Sequence, residues 1–294
     1  MAGSGYFPPA EAAPALVGGL YITATPIGNL KDITIRAVQV LQAADLIACE
    51  DTRVTSKLLS VIGARAKTVA YHDHSGERDR ERIMDALRAG QAVALVSDAG
   101  TPMISDPGYR LVSHVRSEGL PVHTLPGPCA AIAALTLAGL PTDRFVFAGF
   151  PPSKSAARQT WYRDFKRGRS TLVVYESGRR LASSLADALA VFGDRQISVS
   201  REISKKFEET RTGSLTDLCV AYSAEDAPRG ELVIVIASDP EAEAVAQSNI
   251  DSEDMLKKAL VYMRTKDAAA LIADLTGLKK RDLYQQALFI EQED

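Results

Sequence analysis

From Leu20 onward, short β-branched apolar runs alternate with stretches whose apolar residues recur at helical spacing, the pattern of a parallel sheet covered by helices. The runs at 20–25, 45–49, 67–71, 92–97 and 121–125 predict strands. Between them, 33–44 predicts a helix with Asp32 as N-cap and Ile33, Ala37, Val40, Leu41 and Ala44 on one face. The stretch 77–89 predicts another, with Ile83, Ala86 and Leu87 as its stripe. A strand-like 144–149 then runs into Phe150-Pro151-Pro152-Ser153-Lys154, a Pro-rich passage that marks a domain boundary. Beyond it the pattern predicts helices at 155–166 and 179–192 and strands at 171–175, 196–201, 206–212 and 231–237. Two of those strands follow one another without a helix, so the second sheet should be mixed. After Ser238 the pattern is wholly helical, with candidates at 254–263, 267–275 and 280–289.

The expected fold class is therefore α/β: a flexible leader over 1–19, a parallel-rich α/β domain over 20–150, a mixed α/β domain over 151–238 and a helical C-terminal region over 239–294. A length of 294 residues with 46% hydrophobic and 24% charged residues supports about two packed domains and excludes a disordered chain. No uninterrupted apolar run approaches the roughly 20 residues of a membrane helix, and the opening segment lacks the basic start of a signal peptide, so a cytoplasmic protein without membrane association is expected. Cys49, Cys129 and Cys219 lie far apart without a CxxC pair, which argues against a disulfide framework and a structural metal. A net charge of -3 gives no global nucleic-acid signal, so any such surface must be a local patch.

Ligands of open α/β sheets bind beyond the carboxyl ends of the strands. Three loops leave those ends with unusual Gly/Pro content: Thr25-Pro26-Ile27-Gly28-Asn29, the segment Ser97-Asp98-Ala99-Gly100-Thr101-Pro102-Met103-Ile104-Ser105-Asp106-Pro107-Gly108, and Pro126-Gly127-Pro128. Neither GxGxxG nor GxxxxGK[ST] is present, so a dinucleotide or triphosphate bound through those turns is not indicated.

These loops, with Cys49-Glu50-Asp51-Thr52-Arg53, His72-Asp73-His74, Leu125 to Ala131, Tyr175-Glu176-Ser177, Arg201-Glu202 and Arg229-Gly230-Glu231, resemble the motifs of the ribosomal RNA small subunit methyltransferase I family, within the tetrapyrrole methylase superfamily. The resemblance spans about residues 20 to 291. It implies a homodimeric cytoplasmic enzyme that uses S-adenosylmethionine to methylate the 2′-hydroxyl of a cytidine in the decoding region of 16S rRNA, free or in the small ribosomal subunit. It also implies a cofactor cleft walled by Thr25, Pro26, Ile27 and Gly28, by Asp98, Ala99, Gly100, Thr101 and Ile104, and by Gly127, Pro128 and Ala131. The chain departs from the family at Gly178-Arg179-Arg180, where Pro-His-Arg is common.

A ribose hydroxyl needs help to lose its proton, and Asp106 is the preferred base, with Glu50, Asp51 and His72 as alternatives. Glu50-Asp51 before Arg53 reads equally as a helix start with a salt bridge, and His72 and His74 would face opposite sides of an extended segment, against chelation. Lys154, Arg158, Arg163, Lys166, Arg179 and Arg180, with Trp161, Tyr162 and Phe165 interleaved among the first four, are candidate RNA contacts; a solvated helix face is the plainer alternative. Methylation of a tetrapyrrole ring carbon and a non-methylating RNA- or phosphate-binding protein are the competing functions, and the basic segments favour RNA.

Overall fold

The computed structural model describes Phe7 and residues 15–72, 77–166, 168–239 and 252–293. Most of the 1–19 leader, and Asp73, His74 and Arg167, lie outside the described residues. Up to Phe165 and again over Thr171–Ala237 the chain forms one compact unit; Lys166–Ser170 and the residues from Ser238 onward form another.

The first sheet of the larger unit is wholly parallel: β1 (Gly19–Thr23), β2 (Leu46–Cys49), β3 (Lys67–Ala70), β4 (Ala92–Val96) and β5 (Val122–Leu125), in the order β3-β2-β4-β1-β5. Strands β1, β2 and β4 are buried at every position because helices cover both faces. On one face α1 (Ile35–Ala43) and α2 (Thr52–Ile62) bring Val38, Leu41, Leu59 and Ile62 against Ile47, Ala94 and Val96. On the other, α3 (Glu77–Arg88) and α4 (Tyr109–Ser117) bring Ile83, Met84, Leu111 and Val115 against Leu20, Val93 and Leu95.

The helix expected behind Asp32 starts later. Thr34 is its N-cap, its hydroxyl accepting from the Ala37 N–H at 3.1 Å, while Asp32 belongs to a short 3₁₀ turn, Leu30–Asp32. Helix α2 begins where Glu50-Asp51 before Arg53 reads as a helix start with a salt bridge, whereas α5 (Ala130–Leu137) and α8 (Leu215–Ala224) had no predicted counterpart. Helix α5 is apolar almost all round, so it offers no helical stripe to read.

The second sheet holds β6 (Phe145–Phe147), β7 (Thr171–Ser177), β8 (Gln196–Arg201), β9 (Glu209–Ser214) and β10 (Glu231–Ile236), in the order β6-β7-β10-β8-β9. Only β6 and β7 pair in parallel; the remaining pairs are antiparallel. The strand before the Pro-rich passage thus joins the second sheet, and the change of sheet precedes Pro151. Strand β9 begins at Glu209 rather than 206, because Glu202 to Glu208 form turns, with Lys205 N–H donating to the Glu202 carbonyl and Glu208 N–H to that of Lys205. Helices α6 (Ser155–Arg163), α7 (Gly178–Phe192) and α8 cover one face through Tyr162, Leu181, Leu185 and Leu215. The other face packs Val173, Val233 and Val235 against Ala131, Ala134, Leu135 and Ala138, from α5 and its C-cap. Residues of the first half therefore complete the core of the second sheet, which welds the two sheets into one body.

In the smaller unit, α9 (Ser252–Leu260), α10 (Thr265–Thr276) and α11 (Lys280–Glu293) bury Leu256, Ala268, Ala269, Ile272, Leu283, Ala287 and Ile290 together. Gly277, left-handed at φ 72, ends α10 and turns the chain toward α11.

Candidate active site

A cavity of about 350 Å³ opens within the larger unit, between the carboxyl end of the parallel sheet and the end of β7 with the start of β10 in the mixed one. Ile27, Glu50, Asp98, Ala99, Gly100, Thr101, Ile104, Ser105 and Asp106 are among the residues that line it from the first half, with Cys129 and Ala130. Phe150, Tyr175, Glu176, Glu202, Lys205 and Glu231 are among the residues that line it from the second.

The 97–108 loop is held in shape by its own backbone and hydroxyls. Thr25 and Gly100 exchange two N–H···O bonds at 2.8 and 3.1 Å, and the Thr25 hydroxyl donates to the Ser97 carbonyl. The Thr101 hydroxyl donates to the Pro128 carbonyl at 2.9 Å, tying the second predicted wall to the third. Gly127 faces away from the cavity: a Cβ there would stand 2.7 Å from that of Ala24, so its glycine permits close packing of two loops. Thr25, Pro26, Gly28, Gly127, Pro128 and Ala131 thus stand outside the lining and support it, while Ile27, Asp98, Ala99, Gly100, Thr101 and Ile104 form it.

Four non-glycine residues among those described have left-handed backbones: Met103, Ser105, Glu202 and Ser204. All four lie in the two segments that face each other across the cavity, where such strain is commonly retained for function.

Of the proton acceptors considered, Asp106 and Glu50 line the cavity, and Asp51 and His72 do not. Asp106 is pushed up to about 6, chiefly by burial, with Glu50, Asp98 and Glu231 raising it further and the Ser97 hydroxyl opposing. It does not cap α4: Gly108 is the N-cap there, without a side-chain bond. Asp51 instead caps α2, accepting from the Arg53 N–H at 2.8 Å and pairing with its guanidinium at 2.6 Å, which holds its carboxyl down at about 2. Asp98 accepts from the Asp51 N–H at 3.0 Å. His72 is exposed just past β3.

The second wall carries a carboxylate that the sequence reading gave no role. Glu176 is 2% exposed; its Oε1 accepts from the Ser177 N–H at 2.9 Å and pairs with Arg180 at 3.2 Å, while the buried Oε2 has no hydrogen-bond partner among the described residues. Lys205 bridges Glu202 at 3.0 Å and Glu231 at 3.5 Å. The signal for these residues lay in Tyr175-Glu176-Ser177, Arg201-Glu202 and Arg229-Gly230-Glu231, short motifs that the sequence alone could not bring to one place.

Two of the expected RNA contacts are corrected. Arg158 is 2% exposed and pairs with Asp187 at 2.6 Å while donating to the carbonyls of Ser153 and Ser183, so its charge holds α6 to α7. Arg180 is half-buried against Glu176 and the carbonyls of Pro151 and Pro152. Lys154, Arg163, Lys166 and Arg179 are exposed.

The model of Tetrapyrrole (Corrin/Porphyrin) Methylases matches residues 19–219, and that of the RsmI C-terminal HTH domain matches 246–291. Proteins named ribosomal RNA small subunit methyltransferase I are 50% identical in Erythrobacter litoralis, over 95% of this chain and 97% of theirs, and 45% in Mesorhizobium japonicum, over 98% and 96%. The chain belongs to the ribosomal RNA small subunit methyltransferase I family, among the tetrapyrrole methylases. Solved methylases share its fold: uroporphyrin-III-C-methyltransferase from Thermus thermophilus at TM-score 0.54 and 21% identity, covering 77% of this chain and 97% of that one, and cobalt precorrin-4 methyltransferase at 0.52 and 17%, covering 79% and 98%. In this methylase chain Gly178 lies so close to Pro228 that a Cβ would stand 1.6 Å from its carbonyl oxygen. No helix among the described residues of this methylase is long and apolar enough to cross a membrane.

Proposed function

We propose that this chain is an S-adenosylmethionine-dependent methyltransferase that modifies the 2′-hydroxyl of a cytidine in the decoding region of 16S rRNA, working in the cytoplasm as a homodimer. One observation carries the reading: the strained, acid-lined cavity between the two sheets, in a chain whose relatives are named for ribosomal RNA.

The cavity fits the cofactor in size and charge. About 350 Å³ lies within the ~300–1,000 Å³ of small-molecule sites. Six carboxylates, from Glu50, Asp98, Asp106, Glu176, Glu202 and Glu231, line it against the single ammonium of Lys205, which favours a cationic ligand rich in donors. Glu176 Oε2 is a buried acceptor in want of such a donor. Ile27, Asp98, Ala99, Gly100, Thr101, Ile104 and Glu176 would hold the cofactor, which supplies an electrophilic methyl group when bound. The chain's part is orientation and proton handling. Raised toward neutrality, the Asp106 carboxylate accepts the 2′-hydroxyl proton, with Glu50 the alternative acceptor. Exposed Lys154, Arg163, Lys166 and Arg179, together with the helical C-terminal unit, would engage the rRNA.

Incubation with labelled methyl donor and unmodified 30S subunits, free 16S rRNA or a tetrapyrrole precursor tests this. Label in rRNA at a position resistant to alkaline cleavage is expected, and label only in the tetrapyrrole would refute the proposal.

A further inference from the structure

The cavity is acidic, so it repels the phosphates that flank any nucleotide entering it, and the RNA backbone must be held elsewhere. A second concavity, open and of about 410 Å³, has the opposite character. Arg80 from α3 and Tyr109, Arg110, Ser113, His114 and Ser117 from α4 line it, with no carboxylate among them. Helix α4 adds Arg116 and contains no acidic residue, while the carboxylates of Glu81, Asp85 and Glu118 are engaged by Arg88. Glu118 also faces His114 at 3.1 Å. Arg80 Nε is buried and has no hydrogen-bond partner among the described residues. Tyr109 is 76% exposed, an aromatic ring offered to solvent at the first turn of α4.

The two sites are joined by the chain itself. Asp106 lines the cavity and Tyr109 the groove, with only Pro107 and Gly108 between, so their Cα atoms are at most about 11 Å apart. One RNA strand can therefore reach both.

We propose that the α3–α4 groove docks the phosphodiester backbone of the RNA substrate, Arg80 and Arg110 taking phosphates and Tyr109 stacking an unpaired base beside the nucleotide that enters the cavity. This rests on the reading of the substrate as RNA. It gives the surface a role separate from the basic stretch around α6.

The test is fluorescence anisotropy with a short labelled single-stranded RNA across a salt series, on the full chain. Replacing both arginines, Arg80→Ala with Arg110→Ala, should weaken binding on the order of tenfold and flatten the slope of log affinity against log salt by about 0.7 per lost contact. Tyr109→Ala should cost at least about fivefold in affinity with the salt slope unchanged. Arg80→Lys with Arg110→Lys, which keeps the charge, should restore most of the slope. With unmodified 30S subunits the alanine pair should raise KM and leave kcat within about twofold. Unchanged affinity and slope in folded variants would overturn the proposal. So would a change of oligomeric state by light scattering with RNA affinity intact, which would make this face a contact between copies. Groove-dependent RNA binding without methyl transfer to any RNA would reject the methyltransferase reading and leave the groove standing.

Discussion

Replacing Asp106 with Asn should stop turnover and at the same time make the protein more stable at neutral pH. Burial raises the Asp106 carboxyl from an ordinary 3.8 to about 6, so the folded chain holds its proton more tightly than the unfolded chain does. Between those two values the folded state carries more bound protons, and stability contributed by this group falls as pH rises through about 4 to 6. At about 1.4 kcal/mol per pH unit the loss is about 3 kcal/mol at most, and on the order of 1–2 kcal/mol once water in the open cavity screens it. Asn keeps the shape without the charge, so Asp106→Asn should gain that amount over the parent in urea unfolding at pH 7 and nothing below pH 4. Activity should move the other way. The ionised fraction is roughly a tenth at pH 5 and nine-tenths at pH 7, so the parent's single-turnover rate should climb about ninefold across that range, with its midpoint near 6. The variant should lose about 100- to 10,000-fold and show no such limb. A variant within a few-fold of the parent, or a flat parent profile, would refute the assignment and turn attention to Glu50, the other alternative acceptor lining the cavity.

Arg158→Met removes one member of a buried pair and leaves Asp187 with only Ser155 and Gln159, so stability should fall by about 3–5 kcal/mol in chemical denaturation, while RNA affinity of the folded variant stays that of the parent. Gly178→Ala drives a Cβ into the Pro228 carbonyl, and a drop of several degrees or more in Tm, with loss of soluble protein, is expected. Glu176→Gln with its oxygen kept on the Ser177 N–H puts an NH2 donor where the orphaned oxygen stood; calorimetry on the folded variant should show cofactor affinity reduced at least about tenfold.

The parallel sheet was readable because strands buried on both faces are near-continuous apolar runs, of Val, Ala and Leu in β4, and the Gly/Pro loops at the strands' carboxyl ends announced one wall of the cavity. The opposite wall was not readable in the same way. Glu176, Glu202 and Glu231 lie on separate strands or turns and meet only because β10 pairs with both β7 and β8. Nothing local in the sequence sets that register. Basic residues misled for a related physical reason: a lone Arg on a short helix has no sign of which way it faces, and the partner that draws Arg158 inward, Asp187, stands 29 residues on. The helix of α6 was legible, but its buried charge was a property of the α6–α7 pair. The same limit hid the α3–α4 groove, since Arg80 and Arg110 sit in helices of different composition, one with equal numbers of acidic and basic residues and one basic, and become a single cationic surface only when both helices cover the same face of the first sheet. Charge in this chain is thus informative by where the sheets gather it: acid in the cavity where a cationic methyl donor would sit, base from Arg110, four residues past Asp106, where a polyanion can lie.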